Sequence, residues 1–183
     1  LEGQPYIVME LVEGKKLEEI IENQSPVDQT LLLQMCLDLC AGLEAASQTG
    51  LVHGDIKPEN ILFDKHYTAK LVDFGLANFG GRQEDGRVWG TPYYIAPERL
   101  KKANVDARSD IYSLGATMYH AITATRPFEG DSGREIALKR LEEAPVPVSE
   151  LRPDVNSDVE RIVERMMAVD VSLRYPTHVS LMN

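Results

Sequence analysis

The chain has 183 residues, of which 43% are hydrophobic and 26% charged, and its formal net charge at neutral pH is -10. This composition is typical of a globular domain and excludes wholesale disorder, a collagen-like fibre and a disulfide scaffold. The excess of acidic residues would repel a phosphate backbone, so nucleic-acid binding is not expected.

The two cysteines, Cys36 and Cys40, lie in one apolar segment. At this spacing a helix places both thiols on the same face. A zinc site would need further ligands, and the segment supplies none. We interpret the pair as reduced core thiols, typical of a cytoplasmic protein or of the cytoplasmic domain of a larger, membrane-bound one; redox sensing is the alternative.

Targeting signals are absent from the sequence. No apolar run reaches the roughly 18 to 20 residues that a membrane span requires. The first residues, Leu-Glu-Gly-Gln-Pro, contain neither Met nor a basic signal region. We expect no membrane segment in this chain and a start inside a longer protein.

The first third of the chain predicts a strand followed by two helices. Residues 6–12 are apolar and rich in β-branched side chains, which favours a buried strand. Residues 17–22 predict a short helix. Apolar residues at helical spacing across 31–43, behind the candidate N-cap Asp28, predict a long buried helix.

The middle of the chain changes to short apolar pieces. Residues 61–63 and 70–72 flank a polar turn, which predicts a small β-hairpin. Residues 80–90 are rich in glycine and charge, which predicts an exposed, mobile loop.

Helical patterns return in the last third. Residues 111–122 carry one apolar stripe, and Ser157 with Glu160 forms a candidate capping box ahead of a second helix. A proline-rich connector separates them. Residues 178–182 begin a further helix that should fray because it is so short. The fold class predicted is one mainly α domain with a small β element.

Two polar clusters indicate chemistry. The loop His-Gly-Asp-Ile-Lys-Pro-Glu-Asn at 53–60 holds a carboxylate, an ammonium and an amide, and Asp73 follows a predicted strand soon afterwards. Carboxylate and amide oxygens suit Mg²⁺. Phosphoryl transfer needs metal ions on the phosphates, a base for the hydroxyl nucleophile and a cation for the transferring group. Each requirement has a candidate residue.

Three spaced motifs resemble those of the eukaryotic-type protein kinase family. His-Gly-Asp at 53–55 stands at the catalytic loop, Asp-Phe-Gly at 73–75 at the metal loop, and Ala-Pro-Glu at 96–98 closes the activation segment. Segments at 109–115 and 126–130 look more like bacterial members. The resemblance implies a kinase-like C-terminal lobe with a small β-hairpin and a remnant hinge strand.

This resemblance implies a Ser/Thr protein kinase that uses ATP and Mg²⁺ and acts on a protein hydroxyl. Asp55 resembles the base that accepts the substrate proton, and Lys57 resembles the lysine that neutralises the transferred phosphate in the Ser/Thr form of the family. Asn60 and Asp73 resemble the two Mg²⁺ ligands. The plain alternatives are a turn-capping Asp55 and a solvated surface Lys57.

The resemblance also implies where nucleotide and substrate bind. Met9 resembles the gatekeeper, the backbone of Glu10 and Val12 would bind adenine, and Leu62 would lie beneath it. Thr91 matches the substrate-facing threonine. Simple core packing is the alternative for Met9 and Leu62.

Six further residues match family positions with structural roles: His53, Phe74, Gly75, Glu98, Asp110 and Arg174. The resemblance implies that His53 and Phe74 pack between the catalytic and metal loops and that Glu98 pairs with Arg174 in the interior. Asp110 would accept backbone N–H groups from the catalytic loop, unless it only starts its helix.

The implied boundaries are a hinge-strand remnant over 1–14 and a C-terminal kinase lobe over 15–183. Within that lobe lie the catalytic loop at 53–60, the activation segment at 73–98 and a truncated last helix. The family's Gly-rich loop and its paired lysine and glutamate belong to an N-terminal lobe, which this sequence lacks. By itself the chain is expected to bind ATP weakly and to turn over little.

Two departures from the family concern regulation and substrate. Gly54 stands where the family usually has the arginine that reads a phosphorylated activation loop, and residues 76–90 contain no Ser, Thr or Tyr. We therefore expect activity that does not depend on phosphorylation of that segment. His-Gly-Asp also resembles small-molecule kinases of the aminoglycoside-phosphotransferase type, so a small hydroxylated substrate is one alternative. A pseudokinase or interaction module is another.

Overall fold

The computed structural model describes residues 8, 10–23, 26–74, 93–101 and 105–183. Within these residues the strands are β1 (Gly14–Lys16), β2 (Ile61–Asp64) and β3 (Ala69–Leu71). The helices are α1 (Leu17–Asn23), α2 (Gln29–Ser47), α3 (Pro97–Leu100), α4 (Ala107–Thr123), α5 (Gly133–Glu142), α6 (Val148–Leu151), α7 (Ser157–Met166) and α8 (His178–Met182). The prediction of a mainly α fold with a small sheet is confirmed.

The sheet is antiparallel, in the order β1, β2, β3. The hairpin of β2 and β3 is confirmed, with Ile61 opposite Leu71 and Phe63 opposite Ala69. At its other edge β2 pairs with β1, where the backbone of Gly14 approaches the Phe63 carbonyl so closely that a Cβ would collide with it.

The strand predicted at residues 6–12 is wrong over the part that the structure describes. Val8 and Leu11 are 84% and 81% exposed, and Glu10 and Val12 also lie outside any strand. A strand needs a neighbour for its backbone groups. The neighbour that β2 offers is taken by β1 instead. The loop predicted at 80–90 lies outside the described residues.

Helix α2 begins as predicted at Asp28, whose carboxylate accepts from the Thr30 amide at 2.8 Å. One face is buried in the core, and the thiols of Cys36 and Cys40 lie on it as free cysteines. By length and composition α2 could cross a membrane, but a core helix passes the same test. This helix packs against α4, α8 and β3, and its Asp38 accepts from the Ala69 amide of the sheet at 2.9 Å.

Helix α4 runs through the centre of the fold, and nearly all its residues are buried. It packs against α2 and α7. The close approach to α7 depends on Gly115, because a Cβ there would stand 2.7 Å from Cβ of Met166. Asp110, a buried polar residue that contacts the candidate site, lies on this helix.

The predicted capping box of α7 is wrong by one residue. The N-cap is Asn156, whose side chain accepts from the Asp158 amide at 2.8 Å, so Ser157 already lies inside the helix. Glu160 does not reach back to the helix start. Its carboxylate accepts instead from the Ser149 amide and hydroxyl on α6, at 2.8 Å each.

Candidate active site

The loop at 53–60 is hydrogen-bonded to helix α4 through the side chain of Asp110. Asp110 is 2% exposed, and its two carboxylate oxygens accept from the backbone amides of His53 and Gly54 at 2.8 Å each. Burial raises the pKa of Asp110 to about 6, against the lowering effect of those two amides. Two bonds from one planar group fix the orientation of the loop entry.

The carboxylate of Asp55 lies between a cation and an amide. Its Oδ2 is 2.9 Å from Lys57 Nζ and 3.0 Å from Asn60 Nδ2. Asn60 Nδ2 also donates to the Asp55 carbonyl at 2.8 Å, so the two ends of the loop are tied together. Such an arrangement holds a carboxylate in one orientation with a positive charge beside it, which suits proton transfer from a hydroxyl next to an anionic group.

His53 is enclosed by backbone groups. Its Nδ1 lies 3.2 Å from the Asp55 amide and its Nε2 lies 3.1 Å from the Val72 carbonyl, which assigns the neutral tautomer with the proton on Nε2. Burial lowers the pKa of His53 below its usual value. The Phe74 ring meets the imidazole edge-on, with 4.5 Å between ring centroids. His53 thus links the loop to the chain that follows β3.

Val72 connects the two polar clusters through its peptide groups. Its amide donates to the Asn60 carbonyl at 2.9 Å, while its carbonyl faces His53. The next residue, Asp73, is exposed and has a φ of 63°, a left-handed conformation that Asp tolerates better than most residues. The structure therefore brings Asp73 out beside the Asn60 end of the loop.

The donor atoms at this place fit a magnesium ion. Asn60 commits its amide nitrogen to Asp55, which leaves the amide oxygen as its acceptor, and Asp73 supplies an exposed carboxylate. Mg²⁺ binds through one or two carboxylates together with waters and substrate phosphates rather than in an all-protein cage. Within the described residues, no group of three or more His, Cys, Asp or Glu side chains that could hold a metal ion is found.

A buried ion pair connects α3, whose Arg99 contacts the catalytic loop, to the core. Both carboxylate oxygens of Glu98 accept from Arg174 at 2.9 Å, and the Arg174 side chain is fully buried. Ser109 donates to the same carboxylate at 2.6 Å. The pair joins α3, the start of α4 and the segment before α8.

The residues predicted to bind adenine are less clearly brought together than the side chains of the catalytic loop. The Glu10 carboxylate pairs with Lys70 on β3, Val12 is half-buried, and Leu62 lies in the middle of β2 opposite Lys70. Met9, Gly75 and Thr91 lie outside the described residues.

Two contributors were not found from the sequence. Val72 acts through its peptide groups, and Arg99 donates from α3 to the Gly54 carbonyl. The position of Arg99 directly after Glu98 was the one available signal, and it does not reveal the contact.

Comparisons with known proteins identify the family of this chain. A model of the protein kinase domain matches residues 2–183. The chain is 37% identical over 178 residues to the serine/threonine-protein kinase PknB of Mycolicibacterium smegmatis and 34% identical over 178 residues to that of Mycobacterium tuberculosis, covering 94% of this chain in each case. A probable serine/threonine-protein kinase PknB of Lactococcus lactis is 32% identical over 177 residues. The chain spans about 28% of the length of each of these relatives. It belongs to the protein kinase domain family.

Proposed function

We propose that this chain carries the catalytic loop of a Ser/Thr protein kinase, which transfers the γ-phosphoryl group of ATP to a protein hydroxyl. The observation that carries the proposal is the Asp55 carboxylate, held at 2.9 Å from Lys57 and 3.0 Å from Asn60 in a loop anchored on Asp110. The names of the bacterial relatives support the Ser/Thr class.

In this proposal each polar side chain has one task. Asp55 accepts the proton of the substrate hydroxyl as the oxygen attacks phosphorus, and Lys57 places its charge beside the transferring phosphoryl group. Asn60 and Asp73 would hold Mg²⁺, which when bound neutralises phosphate charge. The contact between Lys57 and Asp55 orients the carboxylate towards the reacting groups.

The retained site residues favour an enzyme over a pseudokinase. A module that only binds a partner has no need for a base, a phosphate-binding lysine and two oxygen donors close together in one site. The choice between protein and small hydroxylated substrates rests on the Ser/Thr-type lysine at 57 and on the Ala-Pro-Glu motif.

The test is transfer of labelled phosphate from ATP by the full-length protein without substitutions, called the parent below. Three substrates are tested. They are casein, a second protein that is basic, and an aminoglycoside as the small hydroxylated molecule. Asp55→Asn should lower kcat by about 10²–10⁴-fold, the usual contribution of a placed general base. Asp158→Asn, on the exposed side of α7, is the matched carboxylate control. It should change kcat less than about twofold, because the one described partner of this carboxylate is the surface residue Arg161.

Three outcomes contradict the proposal. A parent protein that transfers no phosphate to any substrate favours the pseudokinase, and one that labels only the aminoglycoside favours the small-molecule class. Full activity in Asp55→Asn removes the assigned base. The isolated chain is assayed in parallel, where little turnover is expected.

A further inference from the structure

The peptide unit that precedes Asp55 is held from both sides. Gly54 donates its N–H to Asp110 at 2.8 Å, and its carbonyl accepts from Nη1 of Arg99. Gly54 has a φ of +76°, where glycine is strongly favoured. The orientation of this carbonyl sets the direction in which the chain enters Asp55.

The side chain of Arg99 occupies the space that a side chain at residue 54 would need. A Cβ built on Gly54 collides with the guanidinium, with Cζ only 3.0 Å away. Gly54 and Arg99 are therefore coupled: the guanidinium of an arginine from another segment occupies the space beside the glycine.

Arg99 is supplied from a well-anchored position. It follows Glu98 on α3, and Glu98 is tied to Arg174 and Ser109 in the interior. The half-buried guanidinium carries its charge against the loop. Burial raises the pKa of Asp110 and lowers that of His53, and the Arg99 charge lowers both.

We propose that Arg99 is a positioning residue that holds the Gly54–Asp55 peptide from α3 and so orients the Asp55 carboxylate. It takes over the place of the arginine that the family resemblance implies at residue 54, with its charge committed to a backbone carbonyl. This inference rests on the proposed function.

The absence of Ser, Thr and Tyr from residues 76–90 is consistent with this assignment. An arginine whose guanidinium already serves a carbonyl of the catalytic loop needs no phosphate group to hold it there. In this proposal the contact from α3 to the catalytic loop forms without a phosphate group on that segment.

The first test is a double-mutant cycle in the full-length protein, measured by amide hydrogen exchange at Gly54 and Asp55. Arg99→Ala should speed exchange by about tenfold or more, since a hydrogen bond from a charged donor is lost. Gly54→Ala displaces the same guanidinium, so adding Arg99→Ala to it should change exchange by less than about twofold. Additive effects of the two substitutions would overturn the proposed coupling.

The second test is kinetic and separates positioning from mere stability. Arg99→Ala should lower kcat while leaving KM for ATP within about twofold, because the groups assigned to ATP are untouched. Arg99→Lys, which keeps a cationic donor, should restore part of kcat. Lys101→Ala removes an exposed cation just after α3 and is the matched control, expected to leave both constants unchanged.

The two proposals fail in different ways. A parent protein without phosphate transfer overturns the proposed function and with it the positioning role, while the exchange cycle still decides whether Arg99 and Gly54 are coupled. A parent whose activity depends on Asp55 but is unchanged in Arg99→Ala overturns the positioning role alone. If Arg99→Ala does not fold, Arg99→Lys decides, and its kcat must fall below that of the parent without a change in KM.

Discussion

Replacing Arg174 by alanine should strand a buried carboxylate. Arg174 donates to both oxygens of Glu98 at 2.9 Å and to the carbonyls of Ala168 and Arg108 at 2.7 and 2.9 Å. Removing one partner of a buried pair typically costs about 3–5 kcal/mol, because the other charge remains buried. For a chain of this size, at about 2–4 °C per kcal/mol, the melting temperature should fall by roughly 6–20 °C.

The cost should depend on pH in a defined direction. Burial raises the pKa of Glu98, but the bonds from Arg174 and Ser109 outweigh it, so the pKa lies below its ordinary value. In the unsubstituted protein this pair contributes stability at pH values above the pKa that Glu98 has in the unfolded chain. That stability is lost as the pH falls through the lower pKa that Glu98 has in the folded protein. In Arg174→Ala burial acts without the cation, so Glu98 takes up a proton at higher pH. The destabilisation should therefore be largest near neutral pH and shrink towards about pH 4.5.

Thermal denaturation followed by circular dichroism at the two pH values measures both effects. The control is Arg161→Ala, which removes the partner of Asp158 from a pair whose side chains are 72% and 65% exposed. It should cost less than about 1 kcal/mol. The reasoning is refuted if Arg174→Ala melts within the shift of this control, or if its loss grows as the pH is lowered.

Four further substitutions, one of them a control, test other parts of the structure. Asp110→Asn should speed hydrogen exchange of the His53 and Gly54 amides, which donate to the Asp110 carboxylate, by about tenfold or more. A hydrogen bond to a charged acceptor contributes about 1.5–3 kcal/mol. Unchanged exchange would contradict the anchoring role. Gly115→Ala should lower the free energy of unfolding by about 1–3 kcal/mol, because its Cβ would meet Met166. Gly42→Ala, with no atom near its Cβ, should raise the free energy of unfolding by about 0.5–1 kcal/mol, and equal effects of the two changes in chemical denaturation would contradict the packing. Burial lowers the pKa of His178, so stability should fall as pH drops below about 6.5. In His178→Leu the melting temperature should depend less on pH in this range than in the unsubstituted protein. The same pH dependence in both proteins would exclude the histidine as the cause.

Long helices were predictable because their signals are local. The apolar spacing of α2 and its cap Asp28 lie within one stretch of chain, and the same holds for the stripe of α4. The hairpin was predictable because a polar turn separates two apolar pieces. In each case the neighbours that decide the structure are also neighbours in sequence.

The errors have tertiary causes. The apolar strand predicted at residues 6–12 needs a partner, and β2 pairs with Gly14–Lys16 instead. Asn156 and Ser157 are both good N-caps, and the choice between them depended on Glu160, whose carboxylate is used by Ser149 of α6. No local pattern shows where a glutamate is recruited from another helix.

The site divides in the same way. Asp55, Lys57 and Asn60 could be named from one short motif because the loop itself brings them together. Arg99 could not, since its contact with Gly54 joins residues far apart in the chain and replaces a side chain that the motif lacks. A missing motif residue is thus a reason to look for a substitute elsewhere in the fold.

The role of Val72 leaves almost no trace in the sequence. Both of its contacts, the amide to Asn60 and the carbonyl to His53, belong to the peptide backbone that every residue shares. The side chain at this position takes no part in these two contacts, and proline, which lacks the N–H, cannot make the first of them. Val72→Pro should thus break the backbone link between the two polar clusters, whereas other substitutions leave the N–H and the carbonyl of residue 72 in place.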